Sequence, residues 1–236
     1  MSLTNYEYDE RGVALIRLDR PKALNAINSA MLVELLEHVS TAVSDDRVRA
    51  VVFSSTDYMA FSAGADIKED IDDEGKVTKM QLFADLYDAV VQCPKPTIAA
   101  CHGYTVGGGA EIAVACDIRI GGANLQMRFP GAALGVPVGP ARLVTLCGLS
   151  HAKYLLLSSN TVKIDEALRM GLVNQAAPGA ATENTALELA GRIAAHNPEG
   201  VARLKQMLHS WDDIEGRSAE EGRGQVEWQR SGPGLH

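Results

Sequence analysis

The run Thr97-Ile-Ala-Ala-Cys-His-Gly-Tyr-Thr-Val-Gly-Gly-Gly-Ala-Glu-Ile-Ala-Val-Ala-Cys-Asp-Ile-Arg-Ile120 decides the fold class. It begins as a short apolar strand, Thr97-Ile-Ala-Ala-Cys101. Three glycines, Gly107 to Gly109, then open a helix that runs to Cys116, and Ile118-Arg-Ile120 is a second strand. A short β-rich run, a glycine turn, a helix and another strand are the sequence form of a parallel sheet with crossover helices.

The same alternation extends toward the N-terminus. Val13-Ala-Leu-Ile-Arg-Leu18 reads as a strand stopped by Asp19-Arg-Pro21. Apolar residues at Met31, Leu32, Leu35, Leu36 and Val39 have helical spacing, with Ser29 placed to cap the helix. Residues 49–54 form an apolar strand of the kind buried on both faces. A turn-rich segment, Phe61-Ser-Ala-Gly-Ala-Asp66, follows, and the highly charged residues 67–80 read as a mobile surface segment. Leu82, Leu86, Ala89 and Val90 predict a helix that stops before Pro94.

Beyond residue 139 the pattern is mostly helical, at 140–146, 150–157, 165–170 and 185–208, with Gly171 as a stop signal after Met170. The tail 230–236 reads as disordered. The expected organisation is an α/β core over residues 1–138 and a helical region over 139–236.

Composition narrows the function. The chain has 236 residues, 46% hydrophobic and 22% charged, which suits one sizeable core. A net charge of −8 argues against nucleic acid as the main partner. The apolar runs are too short to span a bilayer, and the acidic start MSLTNYEYDERG lacks a signal-peptide layout, so a cytoplasmic protein without membrane association is expected. Cys93, Cys101, Cys116 and Cys147 are widely spaced, form no CxxC pair and read as free buried thiols, so no metal site is expected.

Two glycine-bearing turns carry the candidate chemistry. Each follows an apolar strand: Ser62-Ala-Gly64-Ala65-Asp66, and Gly107-Gly108-Gly109-Ala110-Glu111. Glycine lets backbone approach a ligand closely. The second turn also begins a helix, whose first N–H groups lack partners. Two such loops at the carboxyl ends of neighbouring parallel strands could give two backbone donors to one developing oxyanion. A glycine run before a helix also serves as a plain tight turn. Neither the dinucleotide GxGxxG pattern nor a phosphate loop ending in Gly-Lys-Ser/Thr is present there.

Further motifs make the pattern specific. Phe61-Ser-Ala-Gly-Ala-Asp-Ile-Lys68 resembles the first oxyanion loop of the enoyl-CoA hydratase/isomerase, or crotonase, superfamily. His102 to Ile112 resembles the second loop, and Ala115-Cys-Asp-Ile118 its continuation. Leu18-Asp-Arg-Pro-Lys-Ala-Leu-Asn25 resembles the CoA-contacting turn, and Gly171-Leu-Val-Asn174 a later helix-to-strand turn. The similarity runs from about residue 12 to about 208. It implies an α/β spiral of ββα units of the ClpP/crotonase type with a helical C-terminal trimerisation region, and a homotrimer or dimer of trimers. It implies an acyl-CoA thioester as partner, with coenzyme A as part of the substrate and no separate cofactor. By the same resemblance the amides of Ala65 and Gly108 form the oxyanion hole, and Lys22, Ala23, Leu24, Ala63, Asp66, Ile67 and Lys68 line the CoA path.

Hydratases of this family use two glutamates. Glu111 matches the first, although a carboxylate in a helix's first turn is also favoured by the helix dipole alone. The second position aligns with Gly131, which transfers no proton, and the turn at 136–142 is shorter than in the family. The expected activity is that of an enoyl-CoA hydratase or isomerase centred on Glu111. A decarboxylase or thioester hydrolase of the same superfamily, and a non-catalytic acyl-CoA-binding subunit, are the alternatives. Arg128, Arg142 and His102 could assist a carboxylated substrate, or serve as surface charges and a capped strand-end histidine.

Overall fold

The computed structural model describes residues 2–232, 234 and 235. Its main sheet has six strands in the order β1-β2-β3-β5-β7-β9: β1 (Thr4–Asp9), β2 (Val13–Leu18), β3 (Ala50–Ser55), β5 (Thr97–Cys101), β7 (Ile118–Gly121) and β9 (Gln175–Ala176). Only the β1–β2 hairpin is antiparallel. Side chains alternate along these strands. Ala14, Ile16, Leu18, Val51, Phe53, Ala99 and Cys101 enter the larger core cluster. Val13, Leu15, Ala50, Val52, Ile98 and Ala100 enter a second cluster on the opposite face, closed by Ala186 and Ala190 of α6 (Thr182–Ala194). Both faces are covered, which is why these strands read as continuous apolar runs.

A second sheet positions the site. It has three short parallel strands, β4 (Ala60–Ser62), β6 (Tyr104–Val106) and β8 (Gln126–Arg128), in that order. Each follows a strand of the main sheet and precedes a helix. The successive units are β3, β4 and α2 (Asp73–Val91); β5, β6 and α3 (Gly108–Ala115); and β7, β8 and α4 (Pro140–Ser158). This is the spiral of ββα units. Because β4, β6 and β8 are parallel neighbours, the loops after them emerge side by side.

The C-terminal part is helical: α4, broken at Gly148; α5 (Ile164–Met170), ended by Gly171 in the left-handed conformation; α6; α7 (Pro198–Asp212); and α8 (Ile214–Ser231). Helix α8 packs back on α2, where a side chain on Gly222 would press 3.1 Å from the Ala84 Cβ.

Four expectations change. The cap of α1 (Ser29–Ser44) is Asn28, whose side chain accepts from the Met31 amide, so the helix starts one residue earlier than a Ser29 cap allows. The charged segment 67–80 is tethered. Glu69 accepts from the Ser29 amide and pairs with Lys79 at 2.7 Å, and α2 begins within the segment, capped by Asp72. Lys79 is buried because its aliphatic stem packs inward while its ammonium reaches the Asp66 carbonyl at 2.6 Å. The tail is partly ordered. Arg230 and Ser231 finish α8, and the Leu235 amide donates to Gln229 Oε1 at 2.7 Å; Pro233 and His236 lie outside the described residues. The thiols of Cys93, Cys101 and Cys116 are buried and free, but Cys147 is half-buried. Among the described residues no helix is long and apolar enough to cross a membrane.

Candidate active site

The first glycine loop is fixed by the turn over residues 20–27. Asn25, fully buried, accepts from the Arg20 amide and donates to the Ala60 carbonyl, tying that turn to β4. Ser62 Oγ donates to the Asn25 carbonyl, Ala63 N–H to the Leu24 carbonyl, and Ile27 N–H to the Gly64 carbonyl. Asp66 N–H donates to the Ile27 carbonyl, and the Asp66 carboxylate pairs with Arg20. Gly64 has φ 96°, a left-handed conformation that favours glycine, and a Cβ there would stand 2.9 Å from the Val106 carbonyl oxygen. That absence of a side chain lets the β4 and β6 loops touch.

The amides around the two loops are occupied. Gly64 N–H donates to Ser62 Oγ, Gly107 N–H to the Arg128 carbonyl, and Glu111 N–H to the Gly107 carbonyl. The N–H groups of Ala65 and Gly108 donate to no acceptor among the described residues. Gly108 is the first residue of α3, where amides lack helical partners and the dipole is positive. Its backbone is hemmed in: a Cβ would lie 2.6 Å from the Phe83 ring.

Both free amides face one cleft of about 570 Å³, within the range of small-molecule sites. Lys22, Ala23, Ala63, Asp66, Ile67, Lys68 and Gly131 also line it. Leu24 does not; it is part-exposed and contributes its carbonyl to Ala63. Sequence reasoning missed the far wall, made by Met80, Phe83 and Tyr87 of α2, Val136 and Val138, and Gln225 and Leu235 from the C-terminal end. Helical spacing from Leu82, Leu86 and Val90 could have placed Phe83 and Tyr87 on the buried side of α2.

Glu111 lies behind the second loop rather than on the cleft wall. It is 1% exposed, and its Oε2 accepts from Arg142 Nη2 at 2.9 Å and Nε at 3.3 Å. Its Oε1 lies against Gly139, where a Cβ would stand 2.7 Å from it. Arg142 is itself 2% exposed. It also pairs with Glu221 of α8 and donates to Ser218, whose hydroxyl in turn donates to Asp88. Glu221 accepts from the Gly139 and Ala141 amides, fixing the start of α4. Burial pushes the Glu111 carboxyl up to about 7, Arg142 opposes this, and the Glu221 charge adds to it.

Gly131 lines the cleft, but there is no space on it for a carboxylate. A Cβ would meet the Val136 carbonyl oxygen at 2.5 Å, because the short turn brings that carbonyl inward. Arg142 is neither a surface charge nor free for a substrate carboxylate, since its guanidinium is spent on Glu111 and Glu221. His102 is likewise engaged. Its ring lies edge-on to Phe61, its Nε2 contacts Ser55 Oγ at 3.0 Å and the Asp57 carbonyl at 3.2 Å, and burial pushes its imidazole pKa down. Arg128 lines the cleft while its Nε donates to the Ser159 carbonyl.

The α/β spiral thus brings two residues with unpaired amides, Ala65 and Gly108, to one largely apolar cleft. The enoyl-CoA hydratase/isomerase family model matches residues 8–224, and the chain belongs to that family. It is 37% identical over 217 residues to the short-chain-enoyl-CoA hydratase of Clostridium acetobutylicum, covering 89% of this chain and 82% of that one. It is 31% identical over 208 residues to the 2,3-dehydroadipyl-CoA hydratase of Escherichia coli, covering 87% of this chain and 81% of that one. Among solved structures, an enoyl-CoA hydratase/isomerase from Xanthobacter autotrophicus superposes with a TM-score of 0.89 at 28% identity, covering 99% of this chain and 89% of that one. An enoyl-CoA hydratase from Bacillus anthracis gives 0.86 at 27% identity, covering 97% and 90%. The family assignment supports an acyl-CoA-binding enzyme of enoyl-CoA hydratase/isomerase type.

Proposed function

We propose that this enzyme acts on a 2-enoyl- or 3-enoyl-CoA thioester through its enolate, with the amides of Ala65 and Gly108 holding the thioester oxygen and Glu111 moving the proton. The observation that carries this reading is the pair of unpaired amides opening on one cleft. Donors set in place before charge develops lower the barrier to the enolate, each contributing about 10²–10³-fold in rate. Lys22, Ala23 and Lys68 at the mouth suit the CoA portion, and the apolar wall of Met80, Phe83 and Val136 suits the acyl chain. No separate cofactor enters this scheme.

Glu111 is the acid–base group in this reading because burial brings it close to neutrality, where it both accepts and returns a proton. To reach substrate its side chain turns from Arg142 toward the cleft. With Gly131 unable to supply a second carboxylate, one glutamate carries proton transfer, which suits alkene migration between α and γ carbons or a hydration with Glu111 as sole base. A second reading, loss of carbon dioxide from a malonyl-type thioester, is favoured by the same gap at Gly131. Decarboxylation needs the oxyanion donors and no second acid. An assembly of three or six chains, working in the cytoplasm, completes the proposal.

The test is a mass-spectrometric screen of 2-enoyl, 3-enoyl, 3-hydroxyacyl and malonyl-type CoA thioesters in deuterated water, with wild type beside Glu111→Gln. Glu111-dependent hydration or alkene migration is expected. Loss of carbon dioxide or release of free CoA instead would move the enzyme to the decarboxylase or hydrolase reading. Silence across the panel would point to a binding role.

A further inference from the structure

We propose that the Tyr87 hydroxyl is a third hydrogen-bond donor to the thioester oxygen, alongside the amides of Ala65 and Gly108. This rests on the reaction proposed above. Tyr87 sits on α2, the residue 4% exposed, and it lines the cleft. Its ring is clamped between the Phe83 ring, 5.9 Å away, and the Arg142 guanidinium, 4.9 Å from its centroid. The clamp aims the phenol at the start of α3. Its oxygen stands 3.4 Å from where a Cβ on Gly108 would sit, so it lies beside the residue whose amide is free.

This hydroxyl makes no hydrogen bond among the described residues. It is not among the sealed unpaired polar atoms of the core, so its oxygen reaches the cleft and stands there as a donor without a protein partner. Here the missing partner is supplied by an oxygen in the cleft. Among the other polar side chains on the cleft wall, Asp66 pairs with Arg20, Arg128 donates to Ser159, Lys22 and Lys68 are exposed, and Gln225 has its amide nitrogen on Met80 and leaves only Oε1 unpaired, an acceptor that cannot donate to an oxyanion. Burial, with the Glu111 charge behind it, keeps the phenol protonated well above its usual range, so it stays a neutral donor. A phenol donating to an enolate oxygen in an apolar site is established chemistry for other folds. A side chain on Gly108 would crowd the Phe83 ring and stand against the hydroxyl.

The probe is cinnamoyl-CoA, whose conjugated thioester absorbs at longer wavelength when its carbonyl is polarised. Wild type, Tyr87→Phe and a protein with 3-fluorotyrosine at position 87 are titrated with it, and turnover is measured on the preferred thioester of the panel. Tyr87→Phe is expected to bind the probe with Kd within about threefold, show a smaller red shift, and lose about 10²–10³-fold in kcat with little change in KM. The more acidic 3-fluorophenol is expected to enlarge the red shift. Equal red shifts and equal kcat in wild type and Tyr87→Phe would overturn the role, as would an unchanged shift with the fluorinated residue. A wild type that neither binds nor polarises any thioester would sink the proposed function and this inference together, so the two failures are distinguishable.

Discussion

Glu111 carries the sharpest prediction for a single residue. Its carboxyl is lifted from the ordinary range to about 7, chiefly by burial. A base works when unprotonated, so kcat is expected to rise with pH through about 7 and level off above it. Glu111→Gln should remove that inflection and lower kcat by about 10²–10⁴-fold, measured as a pH–rate profile of both proteins. Gly131→Glu tests the opposite end of the site. Restoring a carboxylate is expected to give no gain in hydration, because the Val136 carbonyl occupies the space of the new Cβ. Overpacking there should cost about 1–3 kcal/mol, read as a lower denaturation midpoint. The place of Ala65, Gly108 and Gly131 on the cleft was legible through the resemblance of the motifs around them to the family's loops. Tyr87 was not, because nothing in an apolar helical stripe marks which member carries its hydroxyl toward a ligand. The true role of Arg142 was hidden for another reason. Its partners Glu111 and Glu221 lie far along the chain on either side, and such pairing leaves no local signature.

Among the elements, α8 holds the site's rear wall together. It was missed in the sequence because its buried face is Ser218, Gly222, Gln225 and Val226, small or polar residues that carry no hydrophobic periodicity. By contrast the alternation of Tyr6 and Tyr8 with Asn5 and Glu7 does mark β1, but the acidic composition of that stretch masked it. The strands and helices around the glycine loops were legible, since burial on both faces writes continuous apolar runs into β3 and β5. The importance of α8 is testable through Arg142, which joins it to α3. Arg142→Met should destabilise the protein by about 3–5 kcal/mol, because Glu111 must then take up a proton and Glu221 is left without its cation. Equilibrium urea unfolding of both proteins measures this. A loss under about 1 kcal/mol would mean that the network is not a structural clamp.

For the whole molecule, the helical region leaves large apolar side chains in solvent: Leu149 and Leu157 on α4, and Leu204, Leu208 and Trp211 on α7. Scattered surface apolar residues are ordinary, but several on neighbouring turns are the mark of a surface that meets a partner. An isolated chain is therefore expected to be the minority species. Light scattering should give the mass of three or six chains, and Trp211→Glu should shift the population toward single chains if α7 contributes to the contact. A wild-type mass equal to one chain would contradict the assembly.

The clamp that α8 places on Glu111 also has a temporal consequence. During synthesis, the loops carrying Ala65 and Gly108 and the helix carrying Glu111 are all made before Glu221. A nascent chain stopped short of residue 214 would possess both free amides but have Arg142 held by Glu111 alone, with the start of α4 unfastened. In the proposed reading the carboxylate network behind Glu111 is thus completed only once α8 has been made, after both residues with free amides.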